Sequence, residues 1–413
     1  MSLGEYSAYL GLDWADEAHQ CSLQEVGSAE VERFTVQQKP EAIQEWVGQL
    51  RARFRSGKIA VAVEQKRGAL IYSLMKYEIF VIFPLNTTAV KNYRKALRAS
   101  GAKDDVSDAD IQLEFLQKHL DRLRRWDPES VRTRQLRFLV ESRRNQVDEA
   151  TAVSNRITAL LKEFYPAALQ MVGQLKTALA CDFLKRWPSL PALRRARPEQ
   201  LKEFYHRHNC RSSQNIDERI TLAATAQPLI HEREMIRTYS LLLVSQVEQM
   251  KVLMAGIQRL EKEIERVFAD HQDAEIYNSF PAAGAALAPR LAAALGEDRT
   301  KFDNAAAILN LTGVAPVTIR SGKSKIVAFR LGAPKFQRQT FIEFACVSIR
   351  FSAWARQDYL AYRAKGNTHQ AAIRRIAYKW IRIIYRCWKN RTPYDEATYI
   401  AARATRSAKA HAC

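Results

Sequence analysis

Residues 7–15, SAYLGLDWA, and residues 58–65, KIAVAVEQ, decide how the first part of this 413-residue chain folds. Each is a short apolar run that ends on an acid, Asp13 in the first and Glu64 in the second. The second run is apolar and rich in β-branched residues, the pattern of a strand buried on both faces. Between the two, residues 20–26 (QCSLQEV) and 32–38 (ERFTVQQ) read as strands separated by polar turns, so the chain opens as a meander. Residues 39–54, KPEAIQEWVGQLRARF, then carry apolar side chains at helical spacing. Beyond the second quoted run come a helical segment at 68–78, a buried strand at 79–86 (IFVIFPLN) and two helical segments from Thr88 to about Trp126. The predicted order is βββαβαβα.

That is the order of a ribonuclease H-like sheet, an architecture that hosts many nucleases and polynucleotidyl transferases. In such a sheet the first and fourth strands lie side by side, which would project Asp13 and Glu64 from one edge. Asp105 and Asp108, in KDDVSDAD (103–110), stand three apart at a predicted helix start, on one face and one turn from each other. Four converging carboxylates repel one another unless cations neutralise them. Two hard ions roughly 4 Å apart, with Mg2+ the natural choice, can activate a nucleophile and stabilise the leaving oxygen of a phosphodiester. Any one of these acids alone reads as a helix cap or a solvated charge. Their joint placement on one topology is what points to catalysis, with Asp104 and Asp110 as the alternatives if the register shifts.

The rest of the chain is predicted to be largely helical. Val140, Val147, Ala150, Ile157, Leu161 and Phe164 recur at heptad-like intervals, as do Leu243, Val247, Met250, Met254, Ile257, Ile264 and Phe268, with Glu261 as a charged interruption. These runs predict either a coiled-coil hairpin or dimer arm, or two packed helices of one bundle. The helical stretch between them, about 167–231, holds no assignable motif; its HxHxC cluster, His206, His208 and Cys210, lacks a fourth partner and is rejected as a metal site. After Tyr277 a small-residue-rich segment opens a third domain. Its last long helix, HQAAIRRIAYKWIRIIYRCWKN (369–390), turns Ile373, Ile376, Trp380, Ile384 and Cys387 inward. The predicted division is therefore 1–127, 128–275, 276–402 and a disordered tail at 403–413.

Composition narrows the partners. Sixty-four Lys and Arg against 44 Asp and Glu give a net charge of +20, which favours a polyanion and above all nucleic acid. Twenty of those cations fall between Pro316 and Cys413, against only Glu343, Asp358, Asp395 and Glu396. Six scattered cysteines without a CxxC pair fit reduced thiols, and neither a signal peptide nor a membrane-length apolar run is found, so a cytosolic protein is expected.

At the acidic positions the chain resembles the DEDD-type transposases of insertion sequences, in the one-ten and eleven-eleven groups. The similar stretches are GLDWADEAH (11–19), VAVEQ (61–65) and KDDVSDA (103–109), then residues 280–316, RSGKSK (320–325) and residues 351–395, most of the chain. The resemblance implies a RuvC-like N-terminal domain with Asp13, Glu64, Asp105 and Asp108 as its four metal-binding acids, and a C-terminal transposase domain whose catalytic serine falls on Ser321. Read without the family, Ser321 is a serine before a glycine in a basic loop, and Ser324 competes with it. The resemblance further implies composite sites built between protomers of a homo-oligomer, held together by the coiled coil. It also implies a structured non-coding (bridge) RNA that pairs with donor and target DNA, association with a prokaryotic nucleoid, and excision and integration through a phosphoserine intermediate. Arg320, Lys323, Lys325, Arg330, Lys335 and Arg338, with Arg374, Arg375, Lys379 and Arg382 on the last long helix, are the expected nucleic-acid contacts. Phe280-Pro281-Ala282-Ala283-Gly284 departs from the family's Pro-Gly-Ile-Gly, and LGAPKFQRQ (331–339) from its Gly-Asn-x-x-Leu-Arg run. Two other readings are a RuvC-type junction nuclease using activated water, for which Ser321 is dispensable, and a non-catalytic nucleic-acid-binding remnant.

Overall fold

The computed structural model describes residues 5–55, 57–64, 68–97, 108–322 and 324–411. The chain divides into two compact units, Met1–Pro128 and Glu129–Cys413. In the first, strands β1 (Ala8–Asp13), β2 (Ala18–Glu25) and β3 (Glu32–Gln37) precede helix α1 (Pro40–Phe54), and β4 (Ile59–Val63), α2 (Ala69–Leu74), β5 (Phe80–Pro84), α3 (Thr87–Leu97) and α4 (Asp108–His119) follow. The five strands form one mixed sheet in the order β3-β2-β1-β4-β5. β1, β4 and β5 run parallel, β2 pairs antiparallel with β1, and β3 pairs antiparallel with β2.

Burial explains this order. All five residues of β4 are buried, as are the first four of β5, which suits parallel strands covered by helices on both faces. Leu10, Leu12, Val61 and Ile82 share one core with Ile43, Trp46 and Val47 of α1 and Leu70, Ile71 and Leu74 of α2. On the opposite face Tyr9, Ala60, Ala62 and Phe83 pack with Ile111, Leu113 and Leu116 of α4. Burying one such Val, Leu or Ile side chain contributes about 1.5–3 kcal/mol. A one-residue slip would turn every one of them to the wrong face, so the register that aligns β1 with β4 is strongly specified.

In the second unit α5 (Val131–Phe164) leads into five shorter helices, α6 (Ala167–Val172), α7 (Ala178–Arg186), α8 (Leu190–Arg194), α9 (Pro198–Arg207) and α10 (Ser213–Thr225), before α11 (Arg233–Ala269) returns. Ser130 caps α5 by accepting a hydrogen bond from the Thr133 amide. Leu136 and Val140, early in α5, share a core with Ile264, Val267 and Phe268, late in α11. Ile157, Leu161 and Phe164 at the other end share one with Leu243, Val247 and Met250. The two long helices therefore pair antiparallel within the chain, and the charged interruption at Glu261 is answered by Arg143 at 2.5 Å. The five short helices close over the far end around Phe183, Trp187, Phe204 and Tyr205.

The remainder consists of α12 (Ala274–Asn278), α13 (Gly284–Leu295), α14 (Ala305–Leu311), the hairpin β6 (Val317–Ser321) and β7 (Ser324–Ala328), then α15 (Lys335–Ser348), α16 (Ala353–Ala364), α17 (His369–Asn390) and α18 (Glu396–His411). Ile373, Ile376, Trp380, Ile384 and Cys387 of α17 are buried, as the amphipathic pattern predicts. α18 carries helix through residues expected to be tail. A long-range partner accounts for this: the Arg403 guanidinium donates to Asp358 at 2.6 Å, and Asp358 also accepts from Lys379 at 2.6 Å. Among the described residues no helix is long and apolar enough to cross a membrane.

Candidate active site

Leu12 stands opposite Val63 in the parallel β1–β4 register. Asp13 and Glu64 are each the next residue along, on strands about 4.8 Å apart. Both line one cavity of about 130 Å3, whose walls are Leu12, Trp14, Val63, Leu70 and Ile71. An apolar wall around two carboxylates raises the cost of their charge. Burial, and after it the negative charge of Asp108, pushes the Asp13 carboxyl above its ordinary range, with His19 and Arg94 pulling it back. Glu64 is raised by burial first and then by Asp13 and Asp108. The three acids thus sense one another electrostatically.

Two contacts between α4 and the sheet bring Asp108 into that field. Gly11 lets the helix rest directly on β1: a Cβ there would lie 2.0 Å from the Ala109 carbonyl oxygen and 2.7 Å from the Leu113 amide nitrogen. Gln112 is completely buried, and its amide nitrogen, turned toward the sheet, donates to the carbonyls of Leu12 at 2.8 Å and Ala62 at 3.2 Å. Those carbonyls belong to the strands that lead into Asp13 and Glu64. Asp110, the register alternative, points elsewhere: it accepts from the Ser22 hydroxyl at 2.6 Å and from the Arg33 guanidinium at 3.0 Å. Arg94 occupies one oxygen of Asp108 at 2.5 Å.

Asp105 and Asp104 lie outside the described residues. Among the described residues no group of three or more His, Cys, Asp or Glu is drawn close enough to hold a metal ion. What the described acids do offer is hard oxygen donors with charge repulsion still to be relieved. That donor set fits a divalent cation held by oxygen ligands and no soft metal.

Ser321 sits in a contrasting setting. It ends β6 opposite Ser324, and Gly322 beyond it takes φ +56°, a turn conformation that favours glycine. Thr318 to Val327 are exposed throughout, Lys323 lying outside the described residues. Ile319 and Ile326, paired across the ribbon, are 53% and 58% exposed, so this apolar face finds no cover within the described chain. Of the predicted basic contacts, Arg320, Lys325, Lys335, Arg375 and Arg382 are exposed. Lys335 is already paired with Asp148 at 2.8 Å, Lys379 with Asp358, and Arg375 lies over the Tyr362 ring at 5.1 Å. Arg330 and Arg338 are turned into the protein.

Sequence reasoning passed over Gly11, Gln112 and Arg94. A glycine inside a strand signals close backbone approach, and a glutamine beside Ile111 and Leu113 signals a buried amide, so two of the three left a trace. The Arg94–Asp108 pair left none.

The comparisons with known proteins fall on these same segments. A DEDD-type family model named for IS110 and described as a transposase matches residues 10–166, the span holding Asp13, Glu64, Asp105 and Asp108. A second, described as the transposase IS116/IS110/IS902 family, matches residues 274–360, which include Ser321. The chain is 24% identical to the IS117 mini-circle protein of Streptomyces coelicolor, over 94% of this chain and 96% of that one. It is 28% identical to the 43.6 kDa protein of insertion element IS110 from the same organism, over 71% and 72% respectively. With the 42 kDa protein of insertion element IS900 from Mycobacterium paratuberculosis it shares 23% identity over 95% and 98%.

Proposed function

The chain belongs to the IS110 family of insertion-element transposases, and from that premise we propose that it cleaves and rejoins DNA at an acid site built on Asp13, Glu64, Asp105 and Asp108, with Ser321 as nucleophile. It is a DNA transposase, so DNA is its substrate. The observation that carries the acid site is the placement of Asp13 and Glu64 in register on adjacent parallel strands, facing one cavity and electrostatically coupled to Asp108. We read the five-stranded mixed sheet as ribonuclease H-like, of the RuvC type.

The four acids would hold the metal, taken to be two Mg2+ ions, which supply charge neutralisation at the reacting phosphate. Gln112 and Gly11 fix where three of these acids stand, while Arg94 holds one oxygen of Asp108. The Ser321 hydroxyl attacks phosphorus, forming a phosphoserine ester as a deoxyribose hydroxyl leaves with the proton. Attack by the hydroxyl of an exchanged strand on that ester rejoins DNA and returns the serine, so bonds and protons balance. Exposed Arg320 and Lys325 beside the serine suit phosphate contacts. Sequence choice is delegated to a structured guide RNA, and the protein acts as a homo-oligomer.

The test is to incubate purified protein, with the RNA that accompanies it, and a duplex carrying an element end, and to look for a denaturation-resistant protein–DNA adduct. The adduct is expected from wild type and lost in Ser321→Ala, Asp13→Asn and Glu64→Gln. An adduct that survives Ser321→Ala overturns the serine assignment, and cleavage that survives Asp13→Asn overturns the acid site. Heterogeneous RNA, or none, in the purified protein removes the guide.

A further inference from the structure

We propose that Arg338 is a positioning residue for the serine hairpin, not one of its phosphate contacts, and that together with Arg374 it clamps the hairpin's base at Phe329. The proposal rests on the reading of Ser321 as nucleophile. A two-stranded ribbon on its own is marginal in water. From Thr318 to Val327 the described residues are exposed, so packing of these residues does not fix the direction in which Ser321 is presented. The fixing point is the segment that follows β7.

There the Arg338 guanidinium donates to the carbonyl oxygens of Arg330 at 2.5 Å and Leu331 at 3.0 Å. It also lies 4.7 Å from the centroid of the Phe329 ring, and the Arg374 guanidinium of α17 lies 5.5 Å from the same ring. Arg330 reaches in the other direction and donates to the Asn310 side chain of α14 at 3.2 Å. Gly313, at φ +68°, leaves space for this arrangement: a Cβ there would come within 2.9 Å of an Arg338 nitrogen and 3.2 Å of the Arg330 carbonyl oxygen. Three helices, α14, α15 and α17, therefore converge on residues 329–331. The Arg338 Nε is buried without a hydrogen-bond partner among the described residues, so the guanidinium is held in the protein and not in solvent. Both carbonyls are reached from a single guanidinium nitrogen, Nη2, while the guanidinium plane is laid against the ring face. A lysine carries the same charge on a single donor nitrogen but has no planar group to lay against Phe329 while it reaches those carbonyls.

The lysine variant therefore separates the two roles. Strand joining and adduct formation are measured on a duplex carrying an element end, and the affinity for that duplex is followed against salt. Arg338→Lys and Arg338→Met are both expected to lose joining by about 10- to 100-fold, the scale of a misplaced reacting group. Duplex affinity and the slope of log affinity against log salt should stay at wild-type values, and amide exchange across residues 317–328 should quicken. Gly313→Ala, which removes no charge, is expected to reproduce the defect. Wild-type joining in Arg338→Lys, or a slope flattened by about 0.9 in Arg338→Met as for one lost phosphate contact, overturns the proposal. Ser321→Ala run alongside keeps the premise separate: if it still joins strands the serine reading falls, whatever the Arg338 variants do.

Discussion

The acid site and the serine hairpin carry reactive groups in opposite ways. Asp13 ends β1 and Glu64 follows β4, strands whose other residues are all buried between two layers of helices, and a buried amide ties both strands to the helix of Asp108. Ser321 ends a strand whose last four residues are exposed and whose fixing contacts lie at residues 329–331. A cluster of like charges must be held against its own repulsion, and a densely packed core can do that. A single neutral hydroxyl meets no such repulsion and can be offered from a ribbon. The comparison implies that the first region is sensitive to packing and the second to changes at its base.

The largest expected effect comes from Gly11→Ala. The new Cβ would meet backbone atoms of α4, which cannot rotate out of the way as a side chain would, so the helix must shift and carry Asp108 with it. Strand cleavage should fall by about 100-fold, and overpacking should cost about 1–3 kcal/mol by denaturant midpoint. Ile319→Ser, at a hairpin position 53% exposed, is expected to change stability by under about 0.5 kcal/mol. Equal destabilisation by the two substitutions would break the comparison.

Next in size is the electrostatic load of the acid site. Asp13 and Glu64 both have folded pKa values raised above their ordinary ones. For such an acid the fold loses stability as pH rises from the unfolded value through the folded one. The contribution is thus least favourable at neutral pH and is relieved below the ordinary carboxylate range. In metal-free protein at neutral pH, Asp13→Asn should raise Tm by about 2 °C, and that gain should vanish as pH falls toward 4. Millimolar Mg2+ should raise the wild-type Tm and leave the variant's nearly unchanged. A variant that melts lower than wild type at neutral pH, or gains equally from Mg2+, would show that the acids are not under strain from one another.

The difference between the regions also decides what could be read from the sequence. The strand runs at 58–65 and 79–86 are apolar on both faces, and that pattern suffices for β4, β5 and the placement of an acid at a strand end. Gly11 and Gln112 left local traces. Arg94 on Asp108, Arg403 on Asp358 and Arg338 on the carbonyls of residues 330 and 331 did not, because each joins segments that no local periodicity relates. Thus the part of α18 from Arg403 onward looked like a tail, and Arg338 looked like a free cation. Heptad spacing gave the long helices but not their partner; the Arg143–Glu261 pair and the split of the two cores fix it as antiparallel within the chain.

The smallest expected effects test the cations one by one. A cation that meets phosphate releases counterions, so its removal lowers the salt slope of DNA binding by about 0.9. A cation already held by a carboxylate has little of that to give. Arg320→Gln and Lys325→Gln, at exposed positions flanking Ser321 and Ser324, should each flatten the slope and weaken binding uniformly across sequences. Lys335→Gln should leave the slope unchanged and cost at most about 1 kcal/mol of stability, because its ammonium pairs with Asp148 on α5. If Lys335→Gln flattens the slope as much as Lys325→Gln, the Asp148 pair opens when DNA binds, and the line drawn here between bracing cations and contacting ones would have to move to include it.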